Sequence, residues 1–149
     1  MRLSAMPVLA FAALASFAAP AAAQTLDLTQ YRGKVVYLDF WASWCAPCKL
    51  SFPWLNEIQQ EYGANGVVVI GVNVDHDKAA ADAFLRETPA QFHILYDPKG
   101  AIAGKYPIEG MPTSFVIGKD GKVRSTHEGF EPSHENEYLR QLVSAVRAP

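Results

Sequence analysis

Cys45 and Cys48 are the only two cysteines in 149 residues, and two residues separate them. Thiols at this spacing can bridge, bind a metal or exchange disulfides. A bridge over so short a loop restrains little of the unfolded chain, so as a staple it adds little stability. Metal binding and redox chemistry remain. A closed zinc site takes four ligands, and none of His76, His93, His127 and His134 stands at a ligand-like spacing from the pair. Two soft thiolates could hold Cu(I), with Met111 as the one further soft ligand in view. A two-electron exchange asks for less: one activated sulfur that attacks and one sheltered sulfur that resolves the mixed disulfide.

The flanking elements decide how the sulfurs are presented. "VVYLDF", Val35 to Phe40, is short, apolar and β-branched, which predicts a buried strand ending at the motif. From Cys45 onward the period changes. Leu50, Trp54, Leu55, Ile58 and Tyr62 recur at three- and four-residue spacing, the mark of one buried helix face. Pro47 suits the first turn, Pro53 predicts a kink, and "YGANG" ends the helix. Cys45 is therefore expected where a helix begins. Unpaired N–H groups and the positive end of the helix dipole favour thiolate over thiol there. Cys45 is expected to be exposed and Cys48, one turn on, to be turned inward. His93 reads as structural, and the other three histidines as solvent-facing.

The rest of the chain supplies a frame. "VVVIGVNV", Val67 to Val74, predicts a second strand parallel to the first. Asp77 caps a helix from Lys78 to Glu87, "FHILY" (Phe92 to Tyr96) is a third strand, and a short helical piece covers Ala101 to Tyr106. Thr113 to Ile117 and Val123 to Glu128 form a hairpin around Asp120-Gly121. Ser133 is expected to cap a last helix that buries Leu139, Leu142, Val143 and Val146. The pattern is α/β, a mixed central sheet with helices on both faces.

Residues 1–23 read as a signal peptide and residues 24–149 as one domain. Arg2, an apolar run from Val8 to Ala19 and Ala21-Ala22-Ala23 predict cleavage before Gln24, with an uncleaved membrane anchor as the alternative. An exported chain meets an oxidising compartment. Lys and Arg number 13 against 15 Asp and Glu, a net charge of −2, with no basic stripe for nucleic acid and no polybasic run for a charged membrane.

"DFWASWCAPC" resembles the active-site segment of the thioredoxin superfamily. Pro53 matches that family's helix proline, and "GMPTSFVI", Gly110 to Ile117, resembles its cis-proline loop, with Pro112 as that proline. The leader, "VVVIGVNVD" and the extra helix and strand from Asp77 to Tyr96 are similar to the TlpA/ResA-like branch of exported thiol-disulfide reductases. The resemblance implies a thioredoxin-like fold with a helix-strand insertion. It implies a catalytic set of Cys45, Cys48 and Asp39, with Asp39 as the buried acid that takes the Cys48 proton. It implies a client surface of Trp44, Ala46, Pro47, Met111 and Pro112, in which Trp44 packs over and shields the cysteines and Pro112 faces Cys45.

The resemblance further implies no cofactor beyond the redox-active Cys45–Cys48 disulfide and a monomer in the periplasm. Its partners would be disulfide-bearing or thiol client proteins, in cytochrome c maturation or at a copper site. A membrane thiol reductase of the DsbD or CcdA type would supply electrons. Thioredoxins carry a lysine near the buried acid where this chain has Gly71, and many TlpA/ResA-like members have a glutamate where it has Ala46. Pro47 stands where strongly oxidising relatives place histidine. It has no charge and no N–H to stabilise a thiolate, which favours the dithiol as a donor. The expected activity is therefore disulfide reduction. The alternatives are a copper-handling module and a general disulfide oxidase or isomerase.

Overall fold

The computed structural model describes residues 24–149, so the leader and its cleavage site lie outside the described residues. Five strands form one sheet: β1 (Val35–Trp41), β2 (Val67–Asn73), β3 (His93–Tyr96), β4 (Thr113–Ile117) and β5 (Val123–Glu128). Their order is β3-β2-β1-β4-β5. β1 pairs with β2 in parallel and with β4 antiparallel; β2 pairs with β3 in parallel and β4 with β5 antiparallel. The helices are α1 (Ala46–Tyr62), α2 (Lys78–Glu87) and α3 (Glu135–Arg147).

All seven residues of β1 are buried, because this central strand has a core on each side. Side chains alternate across a strand, and the division is visible here. Val35, Tyr37 and Trp41 share one core with residues of α1, α2 and α3. Val36, Leu38 and Phe40 share the other with Ile70, Val72, Phe115 and Ile117. That second core is closed by Leu28 and Tyr31 of one 3-10 turn, by Ile102 and Ala103 at another, and by Tyr106. Helices thus flank both faces unequally: three α-helices on one, short 3-10 turns on the other.

The α2–β3 insertion is anchored by aromatic rings. Trp41 of β1 stands 4.9 Å from Phe52 of α1 and 4.8 Å from Phe84 of α2, and Phe52 lies 5.2 Å from Phe92 before β3. Burying a phenylalanine of this kind contributes roughly 1.5–3 kcal/mol. Asp77 caps α2 as expected, its Oδ1 accepting the Ala79 N–H at 2.9 Å. At the hairpin, Gly121 takes φ +78°, a left-handed conformation that favours glycine.

Three expectations about helices need correction. Leu50 is 55% exposed. The buried face of α1 runs through Cys48, Phe52, Leu55 and Ile58, and Leu50 falls on the opposite side of that turn. Ser133 does not cap α3. It sits inside a 3-10 turn, Pro132–His134, and His134 takes the cap position with no side-chain bond. The buried stripe of α3 is Tyr138, Leu142 and Ala145, turned by about one residue from expectation. The Tyr138 ring packs against Trp54, Phe130 and His127, which draws that side of the helix inward.

Candidate active site

β1 ends at Trp41, and the chain turns back before α1. The Cys45 N–H donates to the Ala42 carbonyl at 3.1 Å and closes this turn. Cys45 is the N-cap of α1, with extended backbone angles, and its Sγ accepts the Cys48 N–H at 3.2 Å. The sulfur thus takes one of the orphan donors of the first turn, the placement that stabilises negative charge. Pro47 lies within that turn, where its missing N–H costs no helical bond. Cys45 and Cys48 form a disulfide with S–S 2.10 Å and Cα–Cα 5.3 Å.

Exposure differs from expectation in two ways. Cys45 is only 3% exposed, while Cys48 is fully buried. The bonds to the Cys48 N–H and sulfur turn the Cys45 side chain inward, so Cys45 joins the core cluster. The asymmetry of the pair survives, but the reachable rim of Cys45 is narrow. Trp44 is 72% exposed. It stands at the corner of the turn and projects into solvent, so it is no cover for the sulfurs. Trp41, like Trp54, lies in the core.

Asp39 lies on the α-helical side of β1 and is 1% exposed. Its Oδ1 accepts the Ser114 hydroxyl at 2.7 Å, while Oδ2 is buried without a partner. Burial disfavours the charged form and pushes its carboxyl up to about 7, partly offset by the Ser114 bond. A group with this acidity can carry a proton either way at neutral pH. Ser114 went unnoticed in the sequence. It pairs with Asp39 across β1 and β4, a relation that emerges only once the register is known.

The register also places Gly71 beside Asp39. A Cβ at Gly71 would meet Ile94 Cδ1 and Phe92 Cε2 at 3.0 Å and Trp41 Nε1 at 3.2 Å. Aromatic packing occupies the room a lysine would need, so Asp39 has no basic partner from β2. Gly71→Ala is expected to cost about 1–3 kcal/mol by overpacking. Urea denaturation of the variant against the parent checks this; an unchanged midpoint would mean that the aromatic wall yields freely.

The Met111–Pro112 peptide is cis, and Pro112 is buried. Thr113, the next residue, pairs with Phe40 near the end of β1, so the proline loop and the cysteine turn lie at the same end of the sheet. Half-buried Met111 packs against the core cluster that contains both cysteines. Among the described residues, its N–H and C=O have no backbone partner. Ala46 is exposed and Pro47 half-buried beside the pair.

His76 and His134 face solvent as expected, while the other two histidines depart from expectation. His93 is exposed at the start of β3. His127 is buried, with Nε2 2.7 Å from Gln141 Oε1 and Nδ1 3.3 Å from the Tyr37 hydroxyl. Its position on β5 faces α3, a contact that spacing along the chain does not reveal. Among the described residues, no group of three or more His, Cys, Asp and Glu is placed to hold a metal.

The sequence matches the Redoxin family over residues 5–142. It is 34% identical over 119 residues to the thiol-disulfide oxidoreductase ResA of Bacillus thuringiensis subsp. konkukian, covering 79% of this chain and 69% of that one. It is 37% identical over 120 residues to ResA of Geobacillus thermodenitrificans, covering 80% and 67%. Among solved structures, a protein from Chlorobium tepidum described as a thiol:disulfide interchange protein DsbE superposes with a TM-score of 0.77. That pair shares 46% identity over 80% of this chain and 84% of that one.

Proposed function

The chain belongs to the Redoxin family and is a TlpA/ResA-like thiol-disulfide oxidoreductase of the thioredoxin superfamily, and from that premise we propose that it reduces disulfides in exported client proteins. The observation that carries the reading is Cys45 at the start of α1, its Sγ accepting the Cys48 N–H beside a buried partner sulfur. In the reduced protein, the Cys45 thiolate attacks one sulfur of a client disulfide. A mixed disulfide forms, and the first client thiolate leaves and takes up a proton. Cys48 then gives its proton to the Asp39 carboxylate and attacks Cys45 Sγ. The Cys45–Cys48 disulfide forms and the second client thiolate leaves. That thiolate takes up the proton Cys48 passed to Asp39, and the first takes from solvent the equivalent of the proton Cys45 released on ionising, so the dithiol delivers two electrons and two protons in all.

The open N–H and C=O of Met111 suit an extended client segment added as a strand. Trp44, Ala46, Pro47 and Pro112 complete this surface in our reading. The redox-active disulfide serves as the only prosthetic device. A membrane thiol reductase of the DsbD or CcdA type would restore the dithiol of a monomer in the periplasm. Apocytochromes c and copper-site proteins are the clients whose thiols must be kept reduced in such a place.

The reduction potential against glutathione tests the direction of flow. A reductant is expected nearer the roughly −270 mV of thioredoxin than the about −120 mV of a strong oxidase. A value at the oxidising end would overturn the reading. Pro47→His adds a group that can stabilise the Cys45 thiolate in the reduced form. It is expected to raise the potential by about 30 mV or more, a tenfold change in the equilibrium. An unmoved potential would remove Pro47 from the argument.

A further inference from the structure

Ser43, two residues before Cys45, is held by a side chain that the exchange cycle does not use. Asp75 follows the end of β2 and is buried. Its Oδ2 accepts the Ser43 N–H at 2.8 Å and an Asn73 side-chain N–H at 2.7 Å, and its Oδ1 accepts the Ser43 hydroxyl at 2.9 Å. The Asp75 N–H in turn donates to Asn73 Oδ1 at 3.2 Å. Just before it, the Val74 N–H donates to the Trp41 carbonyl at 3.0 Å. The segment after β2 is therefore laced to both ends of the Trp41–Ser43 stretch that leads into Cys45.

Both Asp75 oxygens face donors, the arrangement an ionised carboxylate accepts. Every one of those donors is neutral. Among the described residues, no basic side chain forms an ion pair with Asp75. Lys49, one residue past Cys48, is engaged by Glu87 at 3.2 Å. The charge is hydrogen-bonded but not cancelled. Ser43 and Cys45 are joined by a closed turn, so chain geometry keeps the carboxylate within about 10 Å of the Cys45 sulfur.

We propose that Asp75 sets the redox poise of the Cys45–Cys48 pair, bracing the Ser43 turn while placing an uncancelled negative charge beside Cys45. The first turn of α1 favours negative sulfur; Asp75 opposes it. A thiolate held too comfortably makes the reduced state stable and the protein a poor donor. The fixed charge keeps the dithiol willing to give up its electrons. Asp75 acts through Ser43 and through space, as a positioning residue that touches no client. The inference deepens the reductant reading and rests on it.

The test is the equilibrium in which the protein disulfide and two glutathione thiols yield the protein dithiol and one glutathione disulfide, at pH 7. Asp75→Asn removes the charge but can keep both bonds to Ser43, since an amide oxygen accepts and an amide N–H donates. The equilibrium is expected to shift about tenfold toward the protein dithiol, a rise of about 30 mV. Ser43→Ala keeps the charge and removes one neutral donor, so a shift of about two- to threefold in the opposite direction is expected. A brace with no electrostatic role would slow turnover in both variants and move neither equilibrium.

A folded Asp75→Asn protein with the parent equilibrium, or one shifted the other way, overturns the proposal. If Asp75→Asn does not fold, Ser43→Ala decides alone, and no shift or a shift toward the dithiol overturns it. An oxidising parent potential would instead refute the reductant reading, while the signs of the two shifts still decide the part played by Asp75.

Discussion

Asp39→Asn is expected to make the protein more stable at pH 8 and slower in exchange near neutral pH. Burial holds the Asp39 carboxyl at about 7, against 3.8 for the ordinary group. The native state therefore binds more protons than the unfolded chain between about pH 4 and pH 7. Stability contributed at this site falls as pH rises through that window. Below it the acid is neutral in both states and there is no penalty. Above it the native state must hold a buried charge whose Oδ2 has no partner. A separation of about three pKa units corresponds to a cost on the order of 4 kcal/mol.

Asparagine is close to the same size and cannot ionise, and its side chain can keep a hydrogen bond to Ser114. The expected gain is a few kcal/mol at pH 8 and close to none at pH 4, read from urea denaturation at the two values. The same substitution removes the group proposed to accept the Cys48 proton. The rate of mixed-disulfide resolution is then expected to lose its inflection near pH 7. Equal stability differences at both pH values would show that the carboxyl titrates as an ordinary one. Superimposable pH–rate curves would remove it from the mechanism.

The second large effect separates the two sulfurs. Cys45→Ser is expected to reduce turnover of a disulfide substrate such as insulin to background, because the one remaining thiol, Cys48, is fully buried and out of reach of a client. Cys48→Ser keeps that attack but cannot finish it, so covalent adducts with client proteins accumulate and appear by intact mass and on non-reducing gels. Neither change should unfold the chain, since a bridge across this short loop adds at most about 2 kcal/mol by loop entropy. Alkylation of the reduced protein supplies the control. If Cys48 reacts before Cys45, the assignment of attacker and resolver is reversed and the proposed cycle fails.

Much of the frame was legible in the residues themselves. The bounds of α2, β4 and β5 agree with expectation because each carries its own signal: Asp77 as a cap, a proline after the helix, and Asp120-Gly121 between apolar runs. The burial of Asp39 was legible only through the resemblance of "DFWASWCAPC" to the thioredoxin active-site segment. What escaped depends on neighbours distant in sequence. The exposure of Trp44 and the narrow rim of Cys45 are set by how a four-residue turn is pulled inward, which apolar periodicity does not report. Ser114 meets Asp39 only through the antiparallel register. His127 is buried because Gln141 and Tyr37 satisfy its ring, and Ser43 is held by a residue 32 positions away.

The central place of β1 also bears on how the molecule breathes. Its amides and carbonyls are tied on both sides, whereas β3 and β5 lie at the rims of the sheet and can fray without disturbing it. In deuterated water the amides of Leu38 to Phe40 should be among the last to exchange, released only when the whole domain opens. The two sulfurs lie just past the end of this central strand. Their setting therefore persists through the small, frequent openings at the margins, and a client meets the same geometry at each encounter.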